Sequence, residues 1–70
     1  MKTYYVGDRI EERMLCVFGF VQKSKYKRNS DIFTNPDTNV KVIVSKTTKR
    51  EPVIIKIIGA KYLMYMRNDT

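Results

Sequence analysis

Residues 19–45 alternate between apolar and polar positions in a way that predicts a three-stranded antiparallel meander. Turns separate the predicted strands at residues 28–30 and 35–38, where asparagine, serine, proline and aspartate are concentrated. Alternate residues of a strand share one face of the sheet. In the third strand, residues 40–44, we expect the face that points into the core to be formed by Val40, Val42 and Val44.

Residues 8–18 predict a helix, because apolar residues recur there at the spacing of one helical face. These residues are Ile10, Met14, Val17 and Phe18. Asp8 and Glu11 fit a capping box at the start of the helix, and Gly19 follows it as a C-terminal stop. Cys16 lies within the apolar run, and we expect it to be a small buried core residue.

The last segment admits two interpretations. Residues 48–51 fit a capping box, Pro52 suits a first helical turn, and the apolar residues of 53–66 form a helical stripe, so we favour a second helix. This predicts an α+β fold, a small α-β-β-β-α domain whose three-stranded antiparallel sheet packs on two helices, with a small all-β barrel as the alternative. Because the run is rich in β-branched residues, the other interpretation is a hairpin made of Val53–Ile58, the turn Gly59-Ala60 and Lys61–Met66.

Composition bounds the chain to a single domain, residues 1–70, with a small core. The sequence has one cysteine and no histidine, so we expect no internal disulfide, no zinc or other metal site and no cofactor. A lone thiol suits a reducing compartment and no signal peptide is visible, which predicts a cytoplasmic protein. The longest apolar stretch, 53–66, is interrupted by two lysines and is too short to cross a bilayer, so no membrane partner is expected.

Positive charge is concentrated in two stretches. The net charge is +7, and residues 22–30 and 41–50 each carry four basic residues and no acid. Such a concentration favours RNA or DNA bound to a basic sheet face, with a solvated, solubilising face as the alternative. Lysine at every second position would contact successive phosphates, and Tyr26 would either stack on an unpaired base or pack at the edge of the core. The predicted nucleic-acid-binding residues are Lys23, Lys25, Tyr26, Lys27, Arg28, Ser30, Lys46, Lys49 and Arg50.

Short motifs resemble the HicA-type (YcfA-like) mRNA interferase toxins of toxin–antitoxin systems, which share a double-stranded-RNA-binding-domain-like fold. They are Gly19-Phe20-Val21 between helix and strand, the strand-turn segment Asp31–Asp37 and the third strand Val40–Val44, with Pro52–Leu63 at the place of the closing helix. The resemblance spans roughly residues 8–64 and implies that fold and contact with RNA. Those toxins rely on a histidine before the Ile-Phe pair, whereas this chain has Asn29-Ser30-Asp31 there, which puts RNA cleavage in doubt.

Two alternatives from other functional classes stay open. One is a protein-interaction regulator or inhibitor encoded by a phage or other mobile element, because the Tyr- and Met-rich segment 62–66 is typical of an interface; a homodimer would use such a surface too. The other is an RNase that uses non-histidine chemistry at Ser30 or Asp31. We favour binding without catalysis, since no spacing indicates a carboxylate pair, a metal site or a phosphate-binding loop.

Overall fold

Two antiparallel sheets and one short helix make up the fold. A computed structural model describes residues 2–46 and 49–65, without the side chains of Lys23 and Tyr65. The larger sheet has the strand order β2-β3-β4-β5, and β1 pairs with β6 in a two-stranded ribbon. In chain order the elements are β1 (Lys2–Tyr4), α1 (Glu12–Val17), β2 (Val21–Lys27), β3 (Ser30–Thr34), β4 (Lys41–Ser45), β5 (Val53–Ile58) and β6 (Leu63–Tyr65).

The three strands and two turns predicted for residues 19–45 are present as β2, β3 and β4. Phe33 of β3 lies opposite Val42 of β4, and both are buried. Val44 is fully buried and Val40 packs against the core from a half-buried position, as the alternation predicts. The sequence pattern therefore identified both the strands and the buried face of β4.

The second helix predicted for residues 52–66 is wrong, because β5 occupies the first half of that segment. Ile54 and Ile57 lie opposite valines of β4 and complete the buried face of the sheet. The β-branched residues of the segment suit such a pleated, half-buried surface. The hairpin interpretation is wrong in its pairing, since β6 pairs with β1 and Leu63 lies opposite Tyr4. The predicted helix start used Thr48, which lies outside the described residues.

The predicted α-β-β-β-α architecture is therefore wrong. The structure is mostly β: of the described residues, 47% lie in strands and 10% in helix. In residues 2–46 and 49–65, α1 is the one helix, so no second helix packs on the sheet. The all-β barrel alternative does not describe the fold either, because α1 contributes to the core and the ribbon forms a sheet of its own.

α1 has six residues, fewer than predicted, because residues 8–10 lie outside the helix and pair with β5. Asp8 does not cap the helix: its carboxylate accepts a hydrogen bond from the Tyr5 N–H at 2.8 Å, and the N-cap residue Glu11 makes no side-chain cap bond. The pairing satisfies backbone groups at the edge of β5 that would otherwise be open to another chain. Its hydrogen bonds run from Gly7 N to Ile54 O (2.7 Å), Ile54 N to Asp8 O (2.9 Å) and Ile10 N to Pro52 O (2.9 Å).

The end of α1 follows the prediction, whereas the position of Cys16 does not. Gly19 has φ +94, and the N–H groups of Gly19 and Phe20 donate to the carbonyls of Cys16 and Leu15 at 3.0 and 2.9 Å. This is the Schellman arrangement that terminates a helix at glycine. Leu15 is fully buried, whereas Cys16 is exposed, so the prediction of a buried cysteine is wrong. Met14 also packs against the buried cluster from a half-buried position, so α1 turns Met14 and Leu15 toward the core.

The core lies between the larger sheet and the layer formed by α1 and the ribbon. We call the sheet face that points toward this layer the inner face and the opposite face the outer face. α1 contributes Leu15 and the ribbon contributes Tyr4 and Leu63, so both pack on the inner face. The buried cluster comprises Tyr4, Ile10, Leu15, Phe20, Phe33, Val42, Val44, Ile54 and Leu63.

Candidate nucleic-acid interface

The fold brings the two basic stretches of the sequence to one end of the larger sheet. In an antiparallel meander the β2–β3 turn and the β4–β5 loop emerge at the same end. A direct hydrogen bond joins them there, since the backbone N–H of Lys46 donates to the carbonyl of Asn29 at 2.7 Å. We call this region the basic end; it holds the exposed residues Lys25, Tyr26, Lys27, Arg28, Lys49 and Arg50.

The lysines of the basic end are exposed, but β2 bulges between Lys25 and Lys27 and places them on opposite faces of the sheet, so the predicted single row of lysines is not formed. In the described part of the chain, no carboxylate lies within ion-pairing distance of Lys25, Lys27 or Arg28. Tyr26 is 48% exposed, so it does not pack into the core, and the Lys27 ammonium lies 5.4 Å from the centre of its ring. The side chain of Lys23, also predicted to bind nucleic acid, lies outside the described residues.

Lys46 occupies a different environment from the other predicted residues. Its ammonium nitrogen lies 2.7 Å from Asp31 Oδ2 and 2.9 Å from Glu12 Oε1. The hydrogen bond to Asp31, followed by the one to Glu12, raises the pKa of Lys46 above its ordinary value. Asp31 lies on the inner face and is 2% exposed, so this ion-paired cluster links α1 to the sheet. Its two carboxylates compensate the charge of Lys46, which we therefore leave out of the interface.

Ser30 and Asp31, the residues considered for catalysis, both lie below the surface. Ser30 is 8% exposed on the outer face, and Asp31 is held by Lys46 on the inner face. Side chains on opposite faces of one strand cannot converge on one substrate atom. Within residues 2–46 and 49–65, no group of three or more metal-ligating side chains could hold a metal ion. Ser30 and Asp31 therefore do not act together at one site.

The outer face extends the positive surface beyond the residues that the sequence suggested. Cross-strand partners share a face, so the strand register defines twelve outward positions. They include three lysines and no carboxylate. Each row runs from β2 to β5, and the rows are Val21, Thr34, Lys41 and Ile58; Ser24, Ile32, Ile43 and Lys56; and Lys27, Ser30, Ser45 and Val53.

Two of the three outer-face lysines were not predicted to bind. Lys41 was assigned to the correct face of its strand, and its alternation with valine was the available signal. Lys56 was missed because its segment was predicted to be a helix, and no signal in the sequence places Lys56 beside Ile43. Ile43 is only 3% exposed although it lies outside the core cluster, so neighbouring side chains of the outer face cover it. Long lysine stems cover apolar surface in this way while the ammonium groups stay in water.

An uncharged cleft of about 400 Å³ lies toward the other end of the sheet. The end of α1, the β3–β4 turn and the segment before β6 converge on it. Val17, Tyr62 and Met64 on its walls are 56%, 43% and 40% exposed. The lining residues are Val17, Phe18, Phe20, Asn35, Thr38, Val40, Ala60, Tyr62, Leu63 and Met64. The cleft thus lies at the opposite end of the sheet from the basic end.

Comparison of the chain with protein families, with characterised proteins and with solved structures finds no match. The resemblance to the HicA-type toxins therefore stays a prediction. The closing helix that this resemblance implies for Pro52–Leu63 is absent, because β5 takes its place. In the described residues, no helix is long and apolar enough to cross a membrane.

Proposed function

We propose that this protein binds nucleic acid, with RNA as the first ligand to test, through the basic end and the lysines of the outer face. The observation that carries the proposal is the contact between Asn29 and Lys46, because it joins two basic stretches that are distant in sequence. Phosphates attract such a surface over a distance of about 10 Å at moderate salt. A continuous cationic surface therefore raises both the encounter rate and the affinity for a polyanion.

The acidic residues are placed so that they weaken this surface little. Glu12 and Asp31 are paired with Lys46, and Glu11 is paired with Arg13 at 2.6 Å. Asp37 lies in the β3–β4 turn at the other end of the sheet. Glu51 follows Arg50 in the β4–β5 loop and lowers the charge of the basic end locally. The outer face itself carries lysine without any carboxylate.

Fluorescence anisotropy with labelled single-stranded RNA, duplex RNA and duplex DNA over a salt series tests the proposal. We expect the affinity for single-stranded RNA to fall with a log–log salt slope of about −2 to −3.5, which corresponds to three to five phosphate contacts. The triple variant Lys25→Gln, Lys27→Gln, Arg28→Gln should weaken binding about tenfold or more and flatten the slope. No binding to any of the three ligands at low salt contradicts the proposal.

A charge-matched control separates a local interface from a general effect of net charge. None of Lys2, Arg13 and Lys61 belongs to the basic end or to the twelve outward positions, and their replacement by glutamine removes the same three charges. We expect this control to bind within about twofold of the unmodified protein. If the control loses as much affinity as the triple variant, the interface is misplaced.

The cleft favours a second candidate function, a protein-interaction factor. Its occupant would be an uncharged apolar segment of a partner protein, because the lining residues carry no charge. Val17→Asp at the exposed rim should abolish capture of that partner while leaving RNA binding within twofold. Capture that survives nuclease treatment but is lost in the Lys25, Lys27 and Arg28 variant assigns the partner to the basic end and contradicts this candidate.

A further inference from the structure

We propose, as an extension of the proposed function, that the interface holds the phosphodiester backbone and does not distinguish base sequence. The ligand class is then a chain of phosphodiesters of any base composition. The inference follows from the types of side chain that the register places on the outer face, together with the environment of Tyr26.

The outer face lacks the residues that discriminate bases. Hydrogen-bonded discrimination uses arginine, asparagine, glutamine or a carboxylate, and stacking uses an aromatic ring. None of these types occurs among the twelve outward positions, which hold only lysine, serine, threonine, valine and isoleucine. Ser30 and Thr34 are 8% and 7% exposed, so their hydroxyls lie beneath the surface. Lysine remains as the group that reaches the ligand, and it contacts phosphate as a point charge.

The placement of the outer-face lysines suits an extended backbone. Lys27, Lys56 and Lys41 lie on three different strands, and Lys56 is offset by one row from each of the other two. With strands about 4.8 Å apart, the four-stranded face spans about 14 Å from β2 to β5. Flexible stems let the ammonium groups follow phosphates that are spaced several ångströms apart. Such contacts fix the position of a strand without carrying sequence information.

At the basic end, base-reading chemistry is carried by Tyr26, Arg28, Asn29 and Arg50. The Lys27 ammonium lies 5.4 Å from the ring centre of Tyr26, so a cation already occupies one face of the ring and competes there with a stacking base. Arg28 and Asn29 form the two-residue turn at the tip of the hairpin and Arg50 lies in the β4–β5 loop, so these three residues lie outside the lysine rows of the outer face. We therefore assign phosphate contacts to both segments of the interface.

Binding of equal-length oligonucleotides of different composition tests the inference. Labelled 15-nucleotide uridine, cytidine, adenosine and mixed-sequence RNAs are titrated at one low salt concentration. We expect dissociation constants within about threefold of one another. A preference above tenfold for one composition overturns the inference but leaves the proposed function intact, whereas no binding to these oligonucleotides, to duplex RNA or to duplex DNA refutes the proposed function.

A competitor without bases gives a second readout that needs no variant. Inorganic polyphosphate with a similar number of phosphates should displace the labelled RNA at comparable phosphate concentration. Failure of polyphosphate to compete while unlabelled RNA competes shows that bases contribute, and it overturns the inference. Arg28→Lys keeps the charge and removes the planar fork that pairs with guanine. The ratio of affinities between a guanosine-containing and a guanosine-free RNA should be the same in this variant as in the unmodified protein, and a changed ratio contradicts phosphate-only contact.

Discussion

Replacement of Lys46 by methionine tests the ion-paired cluster that joins α1 to the sheet. Methionine keeps the apolar stem and removes the ammonium, so the Asp31 carboxylate, which is 2% exposed, loses its partner at 2.7 Å. Breaking a buried ion pair by removing one partner costs about 3–5 kcal/mol. The Lys46 side chain is 41% exposed and that of Glu12 is 45% exposed, so water replaces part of the interaction. We therefore expect the free energy of unfolding to fall by about 1–3 kcal/mol.

A double-mutant cycle in urea, followed by far-ultraviolet circular dichroism, isolates this interaction. Asp31→Asn removes the buried charge, so Lys46→Met in that background should cost less than about 1 kcal/mol. The four proteins are the unmodified chain, Lys46→Met, Asp31→Asn and the double variant. Additive effects of the two substitutions would refute the reasoning, because they would show that Asp31 does not depend on Lys46. Glu12→Gln serves as a control and should cost about 0–1 kcal/mol, since both groups of that pair are exposed.

Three further predictions concern stability. Thr34→Val should raise the free energy of unfolding, measured by urea denaturation, by about 1 kcal/mol, because the buried Thr34 hydroxyl has no hydrogen-bond partner. A lower free energy of unfolding in the variant would contradict the absence of a partner for this hydroxyl. Gly19→Ala should lower the thermal midpoint more than Gly7→Ala. Both residues have positive φ, but a Cβ at Gly19 would lie 3.2 Å from Asn35 Nδ2, whereas a Cβ at Gly7 would meet nothing within 4 Å. Equal shifts of the thermal midpoint would contradict the argument from crowding at Gly19. The stabilisation from Lys46 should be complete below pH 10.5 and lost as the pH rises through its raised pKa. The urea midpoints of the unmodified chain and of Lys46→Met should therefore converge above pH 10.5. A difference in midpoint that stays constant with pH would show that the charged ammonium of Lys46 is not the source of the stabilisation.

The part of the fold that the sequence predicted rests on local patterns. The alternation in residues 40–44 and the turn residues on either side of β3 identified the meander, because strand periodicity and turn chemistry depend on near neighbours. Gly19 was identified as a helix stop for the same reason. Residues 53–58 could not be assigned in this way, since their aliphatic residues satisfy a helical and a strand pattern alike. The free edge of β4, which pairs with them, decides the assignment.

The candidate interface depends on both the sequence and the tertiary structure. Sequence determined that the chain is basic, that its charge is concentrated in two stretches, and that Lys25 and Lys27 lie on an exposed strand. Only the tertiary structure decided that the two stretches adjoin, that Lys56 joins the outer face and that Lys46 is paired with carboxylates. The physical reason is that charge is a property of each residue, whereas the partner of a charge is set by strand register and by the position of α1, which bring residues far apart in the chain within 3 Å.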